Sequence, residues 1–194
     1  MHASVSFPNA GENLLPESWD EKDAGTTAQR LPQCIIIGAR KCGTRALLEF
    51  LSIHSRVQIA KDEVHFFDED NKYSLGLDWY RQQMPYSYPD QVTVEKTPAY
   101  FVTDLAAERI RVMNSSIKLI VIIRDPVTRL VSDYAQLNAN KVAKGEKPLR
   151  SFEQMVLLPN GDVDINYKPV RTSIYSIYFA RWTEVGPPFS APCC

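Results

Sequence analysis

No apolar segment of membrane-spanning length occurs in this 194-residue sequence, and positive charge is not in excess. The chain does not open on a basic stretch followed by an apolar core, so we expect it to contain neither a signal peptide nor a membrane anchor. The formal net charge is −1, which gives no overall basic field to attract nucleic acid. Any anion site must therefore be a local cluster of lysine and arginine side chains in a cleft.

Cysteine is scarce, with four residues at Cys34, Cys42, Cys193 and Cys194. Their spacing fits neither a metal-ligand motif nor a disulfide framework, so no metal site is predicted. A chain of this length buries roughly 70% of its unfolded surface, which makes a stabilising disulfide or metal unnecessary.

The composition, 44% hydrophobic and 23% charged, is that of one globular domain. Residues 1–32 are polar, acidic and interrupted by prolines, and we expect them to form a disordered leader. The domain itself is predicted at 33–182. Residues 183–194 have no periodicity and contain three prolines, which predicts an unrelated tail.

Short apolar runs alternate with amphipathic helical stretches, a pattern typical of a parallel α/β sheet. The predicted fold is a P-loop-like three-layer α/β fold, a parallel sheet flanked by helices, incomplete at the C-terminus. Strands are predicted at 34–38, 57–60, 92–96 and 119–123. Helices are predicted at 44–54, at 76–84, at 103–113 with Thr103 or Asp104 as cap, after Asp125 as cap, at 151–158 and at 170–182. A basic loop is predicted at 141–150.

The stretch CIIIGARKCGTRALLEF, residues 34–50, turns from strand to helix through a glycine-containing loop. Such a turn brings backbone N–H groups and the positive end of a helix dipole to one point. Arg40, Lys41 and Arg45 add three cations, which repel one another unless an anion lies between them. The pattern favours a phosphate-type anion site over an ordinary turn that uses glycine for its backbone angles.

The same loop invites comparison with the Walker A motif. Gly38 and Gly43 are separated by four residues and Thr44 follows, as in that motif. The Walker lysine, however, directly precedes the threonine, whereas here the lysine is Lys41. A P-loop nucleotide kinase is therefore only the third alternative.

A second anion site is predicted after the last strand. Arg124 follows the apolar run and Ser132 lies about two turns into the next helix, so a guanidinium and a hydroxyl can converge on one phosphate. The alternative is that Arg124 and Asp125 only cover a strand end and cap a helix. A Walker B aspartate would directly follow the apolar run, and the intervening arginine argues against a P-loop NTPase.

The segment KDEVHFFDED places Glu63, His65 and Asp68 after a short strand, around a phenylalanine pair. On an extended chain, Glu63 and His65 point to the same side. A carboxylate beside phenylalanines can have its pKa raised by desolvation, which suits a general base. From composition alone, an acidic surface loop with two core phenylalanines is the favoured alternative.

These segments resemble sulfotransferases that use PAPS (3′-phosphoadenosine 5′-phosphosulfate), and more narrowly the heparan sulfate glucosamine 3-O-sulfotransferases. The resemblance runs from about Gln33 to Trp182 and is carried by IIIGARKCGTRALLEF, EVHFFD, VEKTPAYF, GLDWY and YKPVRTSIY. This chain has Cys42 where the family usually has glycine. Family members continue beyond this region, so the resemblance implies a C-terminally truncated domain.

The resemblance implies transfer of a sulfuryl group from PAPS, with PAP as product, to the 3-hydroxyl of glucosamine in heparan sulfate. It implies that Glu63 is the base, supported by His65 and Asp68, with His65 as the alternative base. Lys96 would contact the acceptor and the transferred group, and no metal is required. The residues implied to hold PAPS are Arg40, Lys41, Gly43, Thr44, Arg45, Arg124 and Ser132. Those implied to contact the saccharide are Arg40, Arg45, Lys96 and Gln136.

Heparan sulfate or a heparin-like glycosaminoglycan is the implied partner, with no nucleic acid and no membrane segment, and the Golgi lumen is the implied location. The basic loop at 141–150 would take part in saccharide preference. The main alternative is an inactive sulfotransferase fragment or splice product that binds PAP weakly. In that case the strand at 119–123 would be an exposed sheet edge.

Overall fold

The computed structural model describes residues 25–185, in which a parallel sheet lies between two layers of helices. The strands are β1 (Ala28–Gln29), β2 (Cys34–Gly38), β3 (Val57–Ile59), β4 (Tyr86–Ser87), β5 (Val92–Lys96) and β6 (Lys118–Val121). The helices are α1 (Thr44–Leu51), α2 (Asp70–Tyr73), α3 (Gly76–Gln82), α4 (Ala106–Met113), α5 (Pro126–Ala143), α6 (Phe152–Val156), α7 (Lys168–Thr172) and α8 (Tyr175–Val185), with a 3-10 turn at Tyr100–Val102. The expected α/β class is confirmed.

The main sheet has the strand order β3-β5-β2-β6, and all its pairings are parallel. β2 is paired on both sides, so its isoleucines Ile35, Ile36 and Ile37 are completely buried. This explains why the strand is a continuous apolar run rather than an alternating one. β6 lies at the edge of this four-stranded sheet and pairs only with β2 within the described residues.

Successive side chains of β2 pack on opposite faces of the sheet. Ile36 packs with Leu48 of α1 on one face. Ile35 and Ile37 belong to a larger core on the other face, which includes Ile110 of α4 and Trp182 of α8. The indole nitrogen of Trp182 donates a 3.0 Å hydrogen bond to the Phe101 carbonyl, which ties α8 to the 3-10 turn.

Several predicted element ends were wrong. The helix predicted at 44–54 ends at Leu51, and Ile53 beyond its end is 79% exposed. The strand predicted at 119–123 is β6, Lys118–Val121, and the predicted basic loop begins inside α5. The helix predicted at 170–182 is interrupted between α7 and α8.

The predicted helix caps had mixed outcomes. Neither Thr103 nor Asp104 caps α4, whose N-cap is Leu105 without a side-chain hydrogen bond. Asp125 does cap α5, since its carboxylate accepts a 2.8 Å hydrogen bond from the Thr128 amide. Pro126 occupies the first turn of that helix, as predicted.

A second, two-stranded sheet was not predicted. β1 pairs antiparallel with β4, so regular structure begins before the expected domain start at residue 33. Of the predicted leader and tail, residues 1–24 and 186–194 lie outside the described part of the chain. None of the helices between residues 25 and 185 has the length and apolar character needed to cross a membrane.

Candidate active site

A cavity of about 870 Å³ lies at the carboxyl ends of β2 and β5. Open parallel sheets bind ligands at this edge, because the loops that leave neighbouring strands meet there. Most of the predicted site residues line the cavity: Arg40, Lys41, Gly43, Thr44, Arg45, Glu63, His65, Lys96, Ser132 and Gln136.

The loop between β2 and α1 leaves the first turn of the helix available to an anion. Gly43 is the N-cap of α1, and no side chain caps the helix among the described residues. Its φ of 92° is a left-handed conformation that favours glycine, and no atom lies within 4 Å of the place where a Cβ would be. Uncapped N–H groups, the helix dipole and the open space beside Gly43 form a cradle for an anionic group.

The cations of this loop do not lie against one another, because each has its own acceptor. The Nε of Arg40 contacts Asp133 of α5 at 2.9 Å. The Nζ of Lys41 donates a 2.9 Å hydrogen bond to Gln136, one turn further along the same helix. Helix α5 therefore holds two of the loop's three positive charges at the cavity wall.

Cys42 occupies the position where the resemblance led us to expect glycine. Its side chain is buried, belongs to the main hydrophobic core and is not part of the cavity lining. Its sulfur lies 3.6 Å from the hydroxyl of Tyr175, which donates a 2.9 Å hydrogen bond to the Arg124 carbonyl. The cysteine thus packs behind the loop and leaves the cradle open.

Glu63, another lining residue of the cavity, is held between a lysine and a histidine. One carboxylate oxygen forms an ion pair with the Nζ of Lys96, the last residue of β5, and the other lies 3.6 Å from His65 Nε2. The His65 Nδ1 contacts Asp68 at 2.8 Å. The Lys96 side chain is 4% exposed, whereas that of Glu63 is 40% exposed, so the carboxylate is the more accessible member of the pair.

The backbone around this cluster differs from the prediction. His65 has a φ of 56°, so Glu63 and His65 approach each other across a left-handed turn and not along an extended chain. Phe66 and Phe67 are completely buried, and the Phe66 ring stacks on that of Tyr80 at 4.5 Å between centroids. The two phenylalanines anchor the turn in the core.

Glu95 is a buried carboxylate that the sequence analysis missed. It is completely buried in β5, and burial raises its pKa to about 7. It accepts hydrogen bonds from the Thr97 hydroxyl and, at 3.4 Å, from the Tyr80 hydroxyl. The available signal was a glutamate inside a predicted strand of a parallel sheet, because helices cover both faces of such a sheet.

We expect the Glu95→Gln variant to gain stability relative to the wild type as pH rises. The wild-type pKa of about 7 lies above the usual 4.5, so the folded state binds this proton more tightly than the unfolded state. The resulting stabilisation is complete below about pH 4.5 and is lost by about pH 7, an effect of roughly 3 kcal/mol. Urea unfolding of both proteins at pH 5 and pH 8 measures it, and a stability difference that does not change with pH would contradict the assignment.

Two predicted residues lie outside the cavity lining. Asp68 reaches the site through its hydrogen bond to His65. Arg124 is exposed, and its described hydrogen bond is the one that its carbonyl accepts from Tyr175. Ser132, its proposed partner for phosphate, does line the cavity. The convergence of Arg124 and Ser132 on one phosphate stays a prediction.

Four polar lining residues were not predicted: Asp133, Tyr167, Lys168 and Thr172. Asp133 belongs to α5, the helix that also provides Ser132 and Gln136. The others come from α7 and the residue before it, which reach the cavity by long-range packing. The sequence analysis matched this segment, YKPVRTSIY, to the family but gave it no role in the site.

The sheet order, the uncapped loop after β2 and the cavity at the carboxyl edge define an α/β domain with a polar, cation-lined cavity where the strands end. The Sulfotransferase domain family matches residues 31–178, and the chain belongs to this family. In the solved structures, a sulfotransferase from Alicyclobacillus acidocaldarius has the same fold, with a TM-score of 0.63 at 22% identity, covering 80% of this chain and 69% of that one.

Among curated proteins, the chain is similar to heparan sulfate glucosamine 3-O-sulfotransferase 5 of Mus musculus and of Homo sapiens. Each is 52% identical over 160 residues, which is 82% of this chain and 46% of the relative. Heparan sulfate glucosamine 3-O-sulfotransferase 3B1 of Homo sapiens is 42% identical over 166 residues, 84% of this chain and 41% of the relative. The chain thus spans less than half the length of these relatives.

Proposed function

We propose that this chain transfers a sulfuryl group from PAPS to the 3-hydroxyl of glucosamine units in heparan sulfate. The observation that carries the proposal is that Glu63, paired with Lys96, lines the same cavity as the uncapped anion loop. A hydroxyl-activating carboxylate and an anion cradle in one cavity are the two parts that such a transfer needs. The names of the curated relatives support the choice of acceptor.

The residues of the loop fit a nucleotide phosphosulfate. The first-turn N–H groups of α1 have no side-chain cap, and the space beside Gly43 is open, so an anionic oxygen can approach the backbone closely. Lys41 would stay near the same group, and Arg124 with Ser132 would hold the 3′-phosphate. When bound, PAPS supplies the sulfuryl group together with a 5′-phosphate as its leaving group.

Glu63 is the proposed general base. Its carboxylate faces the cavity, where it accepts the proton of the glucosamine 3-hydroxyl as that oxygen attacks sulfur. Lys96 holds one carboxylate oxygen and orients the other toward the acceptor. Its ammonium group also balances negative charge at the reacting centre.

His65 and Asp68 orient the base. Asp68 contacts His65 Nδ1 at 2.8 Å, which fixes the ring with Nε2 at 3.6 Å from a Glu63 carboxylate oxygen. The left-handed backbone at His65 brings the ring back over Glu63. His65 serves as a positioning residue in this proposal, and as the alternative base if Glu63 proves dispensable.

The acceptor side of the cavity carries cations and amides suited to a sulfated polysaccharide. Arg40, Arg45 and Gln136 line it and would meet the sulfate and carboxylate groups of heparan sulfate or a heparin-like chain. Since the net charge is −1, attraction depends on this local cluster and not on the whole surface. With heparan sulfate as the acceptor, the proposed location of the reaction is the Golgi lumen.

The test is to incubate the chain with sulfur-35-labelled PAPS and heparan sulfate, then digest the product and locate the label on the saccharide. The proposal predicts label on the glucosamine 3-hydroxyl. Label on another position would contradict the acceptor assignment. PAP binding without any transfer would contradict the enzymatic assignment and favour a protein that only binds the nucleotide.

A further inference from the structure

A buried ion-pair network lies beneath the cavity, and the proposed chemistry does not use it. Arg129 of α5 is completely buried. Its Nη1 contacts Asp133 Oδ2 at 3.0 Å, its Nε donates a 2.7 Å hydrogen bond to the Ser173 hydroxyl, and its Nη2 donates one of 2.5 Å to the Pro169 carbonyl. A buried guanidinium with acceptors on all three nitrogens is fixed in place and also ties α5 to the α7 segment.

Asp133 connects this network to the anion loop. Its side chain is 5% exposed, and its two oxygens contact different arginines. Oδ2 accepts a hydrogen bond from Arg129 Nη1 at 3.0 Å, and Oδ1 accepts one from Arg40 Nε at 2.9 Å. Because Arg129 immobilises the carboxylate, the position of Oδ1 is fixed before Arg40 binds to it.

Arg40 is the exposed partner in this chain of contacts. Its side chain is 49% exposed, and its described hydrogen bond uses Nε alone. A guanidinium is planar, so anchoring Nε sets the direction of the two terminal amino groups. Within residues 25–185 those amino groups have no hydrogen-bond partner, and they belong to a residue that lines the cavity on the α5 side, near Gln136.

We propose that Asp133 is a positioning residue that holds the Arg40 guanidinium ready for a sulfate or carboxylate of the saccharide acceptor. The inference rests on the proposed function and adds to it a residue that acts through another. The acceptor is favoured over the donor because the donor's anionic group already has the uncapped N–H groups of α1. The Arg40 guanidinium is anchored on α5, one turn from Gln136, which the proposed function also assigns to the saccharide.

The experiment measures binding of a heparin-derived octasaccharide by calorimetry, with PAP binding measured in parallel. In Asp133→Asn the side chain keeps its shape, but it has one acceptor oxygen for two guanidinium groups. We expect octasaccharide affinity to fall about tenfold, which is the effect of losing one charge-assisted contact. PAP affinity should stay within about twofold. The acceptor KM should rise with little change in kcat.

Repeating the Asp133→Asn substitution in an Arg40→Ala protein separates the positioning of Arg40 from a general effect of the substitution on the fold. In Arg40→Ala, adding Asp133→Asn should cause no further loss of octasaccharide affinity, because the residue through which Asp133 acts is gone. An equal tenfold loss in that background, or no loss in the single variant, would overturn the inference. Asp78→Asn is the matched control and should keep the wild-type affinity, since Asp78 pairs with Arg81 at 3.0 Å and neither residue lines the cavity.

Arg40→Lys covers the case in which Asp133→Asn does not fold. It keeps the charge and leaves the buried Arg129–Asp133 pair untouched, but it has no Nε to anchor. Affinity comparable to that of the wild type in this variant would overturn the inference, and a loss near tenfold would support it. If the wild type bound PAP but no octasaccharide, the proposed acceptor would be wrong. If the wild type bound both ligands and the variants bound the octasaccharide equally well, only the inference about Asp133 would be wrong.

Discussion

Replacing Glu63 by glutamine is expected to reduce sulfuryl transfer by about 10²–10⁴-fold, the usual contribution of a positioned general base. The amide keeps the size of the side chain but cannot accept the proton of the acceptor hydroxyl. PAP affinity should be unchanged, because the described contacts of Glu63 are with Lys96 and His65 and not with the anion loop. Steady-state kinetics with PAPS and heparan sulfate, together with PAP calorimetry, measure both quantities.

Glu69→Gln is the matched control for this variant. Glu69 lies in the same segment and pairs with Lys72 at 3.2 Å, but it does not line the main cavity. It should retain the wild-type rate. Transfer by Glu63→Gln at a rate near that of the wild type would refute Glu63 as the base, and His65→Ala would then test the alternative base.

Replacing Lys96 by methionine is expected to lower kcat by about 10²–10³-fold, as removal of one preorganised charge-stabilising donor does. The Lys96 side chain is 4% exposed and its ammonium group contacts Glu63, so the variant removes both an electrostatic partner and the group that orients the base. Methionine fills most of the same volume, so folding should survive. The kcat ratio and the thermal midpoint report the two effects separately.

Lys118→Met serves as its control, because Lys118 is an exposed lysine at the amino end of β6, whereas the cavity lies at the carboxyl ends of the strands. That variant should keep the wild-type kcat. A Lys96→Met enzyme with normal kcat and a raised KM would show that Lys96 only binds substrate and has no role at the reacting centre.

The fold was largely predictable because its signals are local. The buried strand Cys34–Gly38 is a continuous apolar run, and Asp125 with Pro126 marks the start of α5 in the sequence itself. The ends of elements were less predictable. Ile122 and Ile123 extend the apolar pattern of β6 beyond its last residue, so a pattern-based prediction continued past it.

The candidate site was predicted where the sequence concentrates its chemistry, in the anion loop and the EVHFFD segment. What escaped prediction depends on contacts between distant residues. Asp133 meets Arg40 across 93 positions of the chain, and no spacing rule links them. The left-handed turn at His65 is likewise set by the packing of Phe66 and Phe67, since histidine alone does not require it.

The measurement that tests the central claim most directly is calorimetric titration of the chain with PAP and, separately, with ADP, which lacks the 3′-phosphate. A PAPS-dependent sulfotransferase site predicts micromolar affinity for PAP and much weaker affinity for ADP, because the loop near Lys41 and the Arg124–Ser132 pair each hold one phosphate. Equal affinity for the two nucleotides would contradict the account and favour a P-loop nucleotide site. Binding of neither would contradict nucleotide binding by this chain altogether.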